Sequence, residues 1–191
     1  MSFLDSADDP KRAARRPLLF FILGTLLVGE GASIFTEPSI PTWYAGLIHP
    51  SIAPPNWVFA PVWTTLYIMM AVAAWRVWKV TGLFSPARAA HAGEMPVAGS
   101  RASEGQRGRV SLELWAWSIQ LALNFAWSAI FFSLHRIGAA LVEIILLDLA
   151  ILYTTALFFR RDRIAGALML PYLAWTVFAT GLTHAFWQLN P

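Results

Sequence analysis

The sequence predicts an all-α membrane protein, a bundle of five transmembrane helices with its N-terminus in the cytoplasm and its C-terminus outside. Three observations carry that reading. Of 191 residues, 57% are hydrophobic and only 13% charged, with a mean hydropathy of +0.54, which is too apolar for an ordinary soluble domain. Five apolar runs are each long enough to cross a hydrocarbon core, which takes about 20 helical residues. The Lys and Arg residues, finally, segregate to alternate connections between those runs.

The runs are Leu18 to Phe35, Val58 to Val80, Leu112 to Leu134, Ile137 to Phe159 and Ile164 to Trp187, and they make residues 1–191 a single five-helix domain. Glu30 interrupts the end of the first run and no small-residue cleavage pattern follows it, so it reads as a span and not as a removed signal peptide. Lys11, Arg12, Arg15 and Arg16 precede that run. Arg76, Lys79, Arg88, Arg101, Arg107 and Arg109 lie at or between the second and third, and Arg160, Arg161 and Arg163 between the fourth and fifth. The opposite side receives only Arg136. The positive-inside rule therefore places the N-terminus in the cytoplasm. The basic character belongs to topology and to anionic lipid headgroups, and no nucleic-acid partner is expected. A bacterial cytoplasmic membrane is the expected location, with an outer membrane as the alternative.

Residues 82–109 form the one long polar insertion, rich in Gly, Ala, Ser and Arg and broken by Pro86 and Pro96. With few apolar groups to offset the entropy of ordering, it reads as a flexible cytoplasmic loop. The absence of cysteine excludes disulfides, iron–sulfur ligation and thiol catalysis. No internal repeat is visible, and five spans do not divide into two halves, which argues against an alternating-access transporter.

The stretch from Trp43 to Tyr67, WYAGLIHPSIAPPNWVFAPVWTTLY, sets aromatic rings on a proline-stiffened frame at the entrance of the second span. It reads either as an interfacial aromatic belt or as the wall of a site for a flat apolar ligand. Helical spacing favours the wall. Phe59, Trp63 and Tyr67 recur at i, i+4 and i+8; Asn124, Trp127 and Phe131 share an arc of the third span; Trp175, Ala179 and Leu182 share a face of the fifth, with Thr183 at its edge. Ala179 leaves room beside Trp175 for a planar ring. Asn124 at membrane depth needs hydrogen-bond partners and is either helix glue or a ligand-orienting amide. The opposite face of the third span carries Ser118, Ala122 and Ala126, small residues at four-residue spacing that make either a homodimer interface or a packing seam within the bundle.

Glu143 and Asp148 lie inside the fourth span, five residues and therefore about 140° apart on a 3.6-residue helix, so they do not form an acid–base pair on one face. They serve either as partners of buried groups or in proton or ligand contact. His49, His135 and His184 fall on the outer side with no haem-like spacing, and surface or capping roles are expected of them. No metal site and no obligatory cofactor is expected.

Three blocks, PPNWVFAPVWTTLY at Pro54 to Tyr67, LNFAWSAIFF at Leu123 to Phe132 and LPYLAWTVFATGL at Leu170 to Leu182, resemble the TspO/MBR family of tryptophan-rich sensory and translocator proteins, which includes the peripheral benzodiazepine receptor. The resemblance spans all five runs. It implies a bundle that is commonly homodimeric, with a pocket beneath the loop joining the first two spans that binds porphyrins, cholesterol and isoquinoline or benzodiazepine drugs. Carried over by position, the pocket would use Tyr44, Pro55, Trp57, Phe59, Trp63, Asn124, Trp127, Phe131, Trp175, Ala179 and Leu182. Two features depart from the family pattern. Thr183 stands where an Asn is frequent, and the tail to Gln188 lacks the Tyr and basic residue of the cholesterol-recognition motif. The insertion at 82–109 replaces a short connection.

The expected function is that of a membrane receptor or sensor for protoporphyrin IX and related tetrapyrroles, regulating tetrapyrrole metabolism or a stress response. Carriage of porphyrin or sterol is the alternative. If light-dependent porphyrin degradation occurs, indoles against the excited macrocycle would donate electrons, which makes Trp63 and Trp175 its candidate catalytic residues.

Overall fold

The computed structural model describes residues 10–81 and 111–191, with side chains placed from Arg16 onward. The expected loop at 82–109 lies outside the described residues. All regular structure within them is helical: α1 (Pro10–Ser39), α2 (Phe59–Thr81), α3 (Leu112–Ser128), α4 (Ile137–Arg161) and α5 (Arg163–Leu189), with short 3-10 turns at Tyr44–Gly46 and Asn56–Val58. Each of the five long helices is apolar enough to cross a membrane.

A lipid solvent inverts the usual burial pattern, and large apolar side chains cover the outside: Phe20, Leu27, Ile34, Leu146, Leu152 and Val177 are exposed. The interior is built by close approach. On α2 the small residues Ala71, Ala73 and Ala74 are fully buried beside Met70 and Val77. Across from them stand Leu147, Ile151 and Phe158 of α4 with Met169 and Tyr172 of α5. Small residues of this kind let helices gain packing contacts in the absence of a hydrophobic drive between them. At one crossing the requirement is absolute, since a Cβ on Gly166 would overlap the Phe159 ring.

Polar caps terminate the helices at one end of the bundle. Ser111 caps α3 by accepting from the Leu114 N–H, and Asp162 caps α5 by accepting from Ile164 and Ala165 at 2.8 and 2.9 Å. Asp162 also pairs with Arg76 at 2.8 Å, and Arg161 pairs with Glu113 at 2.6 Å. Removal from water pushes the Asp162 carboxyl up, but the Ala165 N–H, the Arg76 guanidinium and the Ile164 N–H outweigh it and hold it below the usual carboxylate range.

The third apolar run is not one regular helix. After Ser128 it widens into a π turn over Ala129–Ser133, closed by the Leu134 N–H donating to the Ala129 carbonyl at 3.0 Å. His135 then reverses the chain with a φ of 54°, a left-handed conformation uncommon outside Gly but adopted more readily by Asn, Asp and His than by other residues. The turn faces the lid, and Phe131 within it is almost fully buried.

Candidate functional site

Beyond the π turn, the segment between α1 and α2 folds over the end of the bundle as a lid, and its aromatic rings hold it there. Trp43 stacks on His135 at 4.3 Å with planes 18° apart. Tyr44 packs its buried ring against Phe132 and Phe186 at 5.8 and 5.5 Å, and that burial pushes its phenol pKa up. Two polar contacts pin the margins. The Ser39 hydroxyl donates to the Phe132 carbonyl at 2.6 Å, and the Asn190 side chain clamps Ile48, accepting from its N–H at 2.9 Å and donating to its carbonyl at 3.1 Å.

Beneath the lid lies a cavity of ≈ 390 Å³, within the range of about 300–1,000 Å³ typical of small-molecule sites. All five helices reach it. Its walls are largely aromatic: Phe59 meets Trp175 edge-on at 5.9 Å, Trp63 lies over Tyr67 at 5.5 Å, and Trp127 stacks on Phe131 at 5.1 Å. Gly29 of α1 is required at this level, because a Cβ there would strike the Tyr67 ring.

The polar groups are few and spatially sorted. Asn124, 5% exposed, lines the cavity and accepts a hydrogen bond from the Tyr67 hydroxyl at 2.7 Å. It thus ties α3 to α2 while presenting polarity to the interior, so glue and cavity-facing amide are one residue. Thr176 and Thr183 of α5 also line the cavity, but their hydroxyls donate to their own helix at Tyr172 and Ala179. On the α1 side the lining residues include Glu30, Ser33, Thr36 and Glu37.

Of the residues singled out in the sequence, Tyr44, Phe59, Trp63, Asn124, Trp127, Phe131, Trp175, Ala179 and Leu182 all line this cavity. Pro55 and Trp57 do not. Trp57 lies in the Asn56–Val58 turn with its indole 74% exposed, and Pro55 precedes that turn, so both project from the bundle surface. Tyr67, expected on the aromatic stripe of the second span though not in the pocket set carried over from the family, lines the cavity as well. Phe186 and the α1 wall were not expected; Glu30 carried a signal as an ionisable residue in an apolar run.

Ser118 and Ala122 lie exposed on the outer face of α3, bordering a shallow groove with Leu27 and Val28 of α1, and Ala126 is half-buried. Glu143 is buried away from the cavity, with no hydrogen-bond partner for either carboxylate oxygen. Asp148 accepts from the Thr180 hydroxyl at 2.7 Å. The three histidines stay outside the cavity: His49 meets the Tyr44 carbonyl at 3.1 Å, His135 stacks on Trp43, and His184 lies beside Trp187.

The three sequence blocks together build an aromatic chamber, the WYAGL segment at 43–47 roofs it, and over residues 20–188 the chain matches the TspO/MBR family. The chain belongs to the TspO/MBR family. It is similar to the tryptophan-rich protein TspO of Archaeoglobus fulgidus, with 35% identity covering 91% of this chain and 96% of that protein. It is 38% identical to the human translocator protein, over 91% of this chain and 90% of the relative. The protein CrtK of Rhodobacter capsulatus is 36% identical over 90% and 91% of the two chains. This TspO/MBR chain is therefore matched across its whole bundle, the lid and cavity included.

Proposed function

We propose that this TspO/MBR protein is a membrane receptor that binds a porphyrin or similarly flat apolar molecule in the lidded cavity and signals its presence in tetrapyrrole metabolism or a stress response. The observation that carries the reading is the set of rings from α2, α3 and α5 converging on one cavity of ≈ 390 Å³. Stacking on such walls rewards planar π systems, each aromatic pair being worth about 0.5–1.5 kcal/mol beyond burial. Burial itself contributes more: every 100 Å² of macrocycle surface removed from water gives roughly 2.5 kcal/mol. The protein sits in a membrane with its lid on the non-cytoplasmic side, which accords with Arg76, Arg160, Arg161 and Arg163 standing at the opposite end of the bundle.

Trp63 and Trp175, on the neighbouring helices α2 and α5, both line the cavity and would be the electron donors in a light-dependent breakdown of the porphyrin. A carrier role draws support from the name of the human relative and remains the alternative. Titration of purified protein with protoporphyrin IX in the dark, followed by illumination, tests the reading. Saturable tryptophan quenching is expected, weakened in Trp63→Phe and Trp175→Phe, with any light-driven loss of the Soret band slowed in the double variant. Quenching that never saturates would reject the binding reading, and an unaltered photoreaction in the double variant would remove the two indoles from it.

A further inference from the structure

The charge lining the cavity has one sign. Glu30 and Glu37 belong to its α1 wall, and among the described residues no Lys, Arg or His lines it. Neither glutamate has a cationic partner among the described residues, whose two ion pairs, Arg76 with Asp162 and Arg161 with Glu113, join helix ends at the other pole of the bundle. Arg136 and His135 stand at the lid end but do not line the cavity.

Glu30 is the more demanding of the two. It lies nine residues, about 13 Å along the helix, before the end of α1 at Ser39, toward the end of the apolar run, and like Glu37 it is exposed at the open α1 side of the cavity. Its neighbour Ser33 donates to the Glu30 backbone carbonyl and leaves the carboxylate alone. An ionisable group within a membrane-spanning helix, with no charged partner among the described residues, marks a functional surface. The far side of the cavity has the complementary polarity. Asn124 is 95% buried and its carbonyl oxygen is occupied by Tyr67, so what its amide turns to the interior is N–H donors, beside the buried Tyr172 hydroxyl.

We propose that the cavity is built for a two-ended ligand: a flat apolar body with a hydrogen-bond acceptor toward Asn124 and a cationic or N–H-donating group toward Glu30 and Glu37. This rests on the cavity being a ligand site, and it specifies which substituents that ligand carries. A planar amine fits both ends. A dicarboxylate that turns its acids toward the α1 wall meets like charge there, so a porphyrin enters best with its carboxylates esterified, metal-paired or turned away from α1.

Dark fluorescence titrations in nanodiscs of neutral lipid separate the two questions, using one macrocycle in three forms: protoporphyrin IX, its dimethyl ester, and its bis-amide with terminal amines. At low ionic strength the amine form should bind more tightly than the ester, and the ester more tightly than the diacid, each by about two- to fivefold per carboxylate, the scale of a solvent-exposed charge pair. The differences should shrink in high salt. In Glu30→Gln/Glu37→Gln they should fall to within about twofold, with an unchanged thermal melt of the apoprotein reporting an intact fold. A diacid that binds as tightly as the amine, or an order that persists in the double variant, overturns the inference. Should the double variant lose the ester as well, the wild-type order and its salt dependence decide alone, and absence of an amine preference there counts against it. If none of the three macrocycles binds, the tetrapyrrole reading fails, and the same comparison made with aminomethylpyrene and pyrene carboxylate settles the charge preference independently.

Discussion

Replacing Tyr67 by Phe removes one hydroxyl and leaves the cavity's aromatic wall in place. In the structure that hydroxyl donates to the Asn124 side-chain carbonyl at 2.7 Å, and the two residues are 7% and 5% exposed, so water cannot readily replace the lost donor. An orphaned buried acceptor costs about 1–3 kcal/mol. Measured side-chain hydrogen bonds between membrane helices average only about 0.6 kcal/mol, with a maximum near 1.7, because the unfolded chain in lipid also finds partners. Tyr67→Phe is therefore expected to destabilise the bundle by about 1 kcal/mol, and Asn124→Leu, which also changes shape, by more. The double variant should lose less than the sum, with a coupling of about 0.6–1.7 kcal/mol. SDS-driven unfolding in mixed micelles, followed by tryptophan fluorescence, measures all four corners of the cycle. Additive losses would refute the claim that this bond joins α2 to α3 at the cavity.

Ala179→Leu places a larger side chain beside Trp175 where the cavity is lined by both; affinity for planar ligands should fall at least tenfold in the same quenching titration while the melting temperature changes little, and unchanged affinity would put the ligand elsewhere. Phe at Ala122 and Ala126 should convert a detergent-solubilised dimer to monomer by light scattering, because Ser118 and Ala122 are exposed on the outer face of α3; dimers that persist would move any interface to another helix. Asp162→Ala removes the α5 cap and the Arg76 partner together, at a cost of about 0.5–2 kcal/mol for the cap. Since the folded Asp162 carboxyl titrates below its ordinary value, its contribution is present at neutral pH. It should fade as pH falls from about 3.9 through the lower folded value, and an acid limb of the stability curve identical in the variant would contradict this.

The spans were legible because lipid demands long uninterrupted apolar helices, a constraint that acts on composition alone. Aromatic residues of α2, α3 and α5 were legible as cavity lining because 3.6-residue periodicity fixes which side chains share a face, and one face of each helix had to look inward. Periodicity says nothing about where an irregular segment points. Pro55 and Trp57 belong to such a segment and turn outward, Trp57 as an interfacial aromatic would. The α1 wall was missed for a different reason: Glu30, Ser33 and Glu37 recur at i, i+3 and i+7 with Thr36 beside them, but this face is polar, and the reading followed aromatic stripes. The π turn at Ala129–Ser133 was invisible, since a one-residue widening of a helix leaves no mark in an apolar run.

The clamp between Asn190 and Ile48 gives the lid a thermodynamic latch. Two hydrogen bonds across 142 residues of chain, exposed to solvent and each worth about 0.5–1.5 kcal/mol, favour the closed roof over an open one by a factor of roughly five to 150. The latch is anchored on the helix that carries Trp175, Ala179 and Leu182. A molecule that wedged those side chains apart would strain the latch from within, so filling of the cavity and opening of the lid would be coupled. Residence time and occupancy would then be readings of one mechanical element, the last turn of α5.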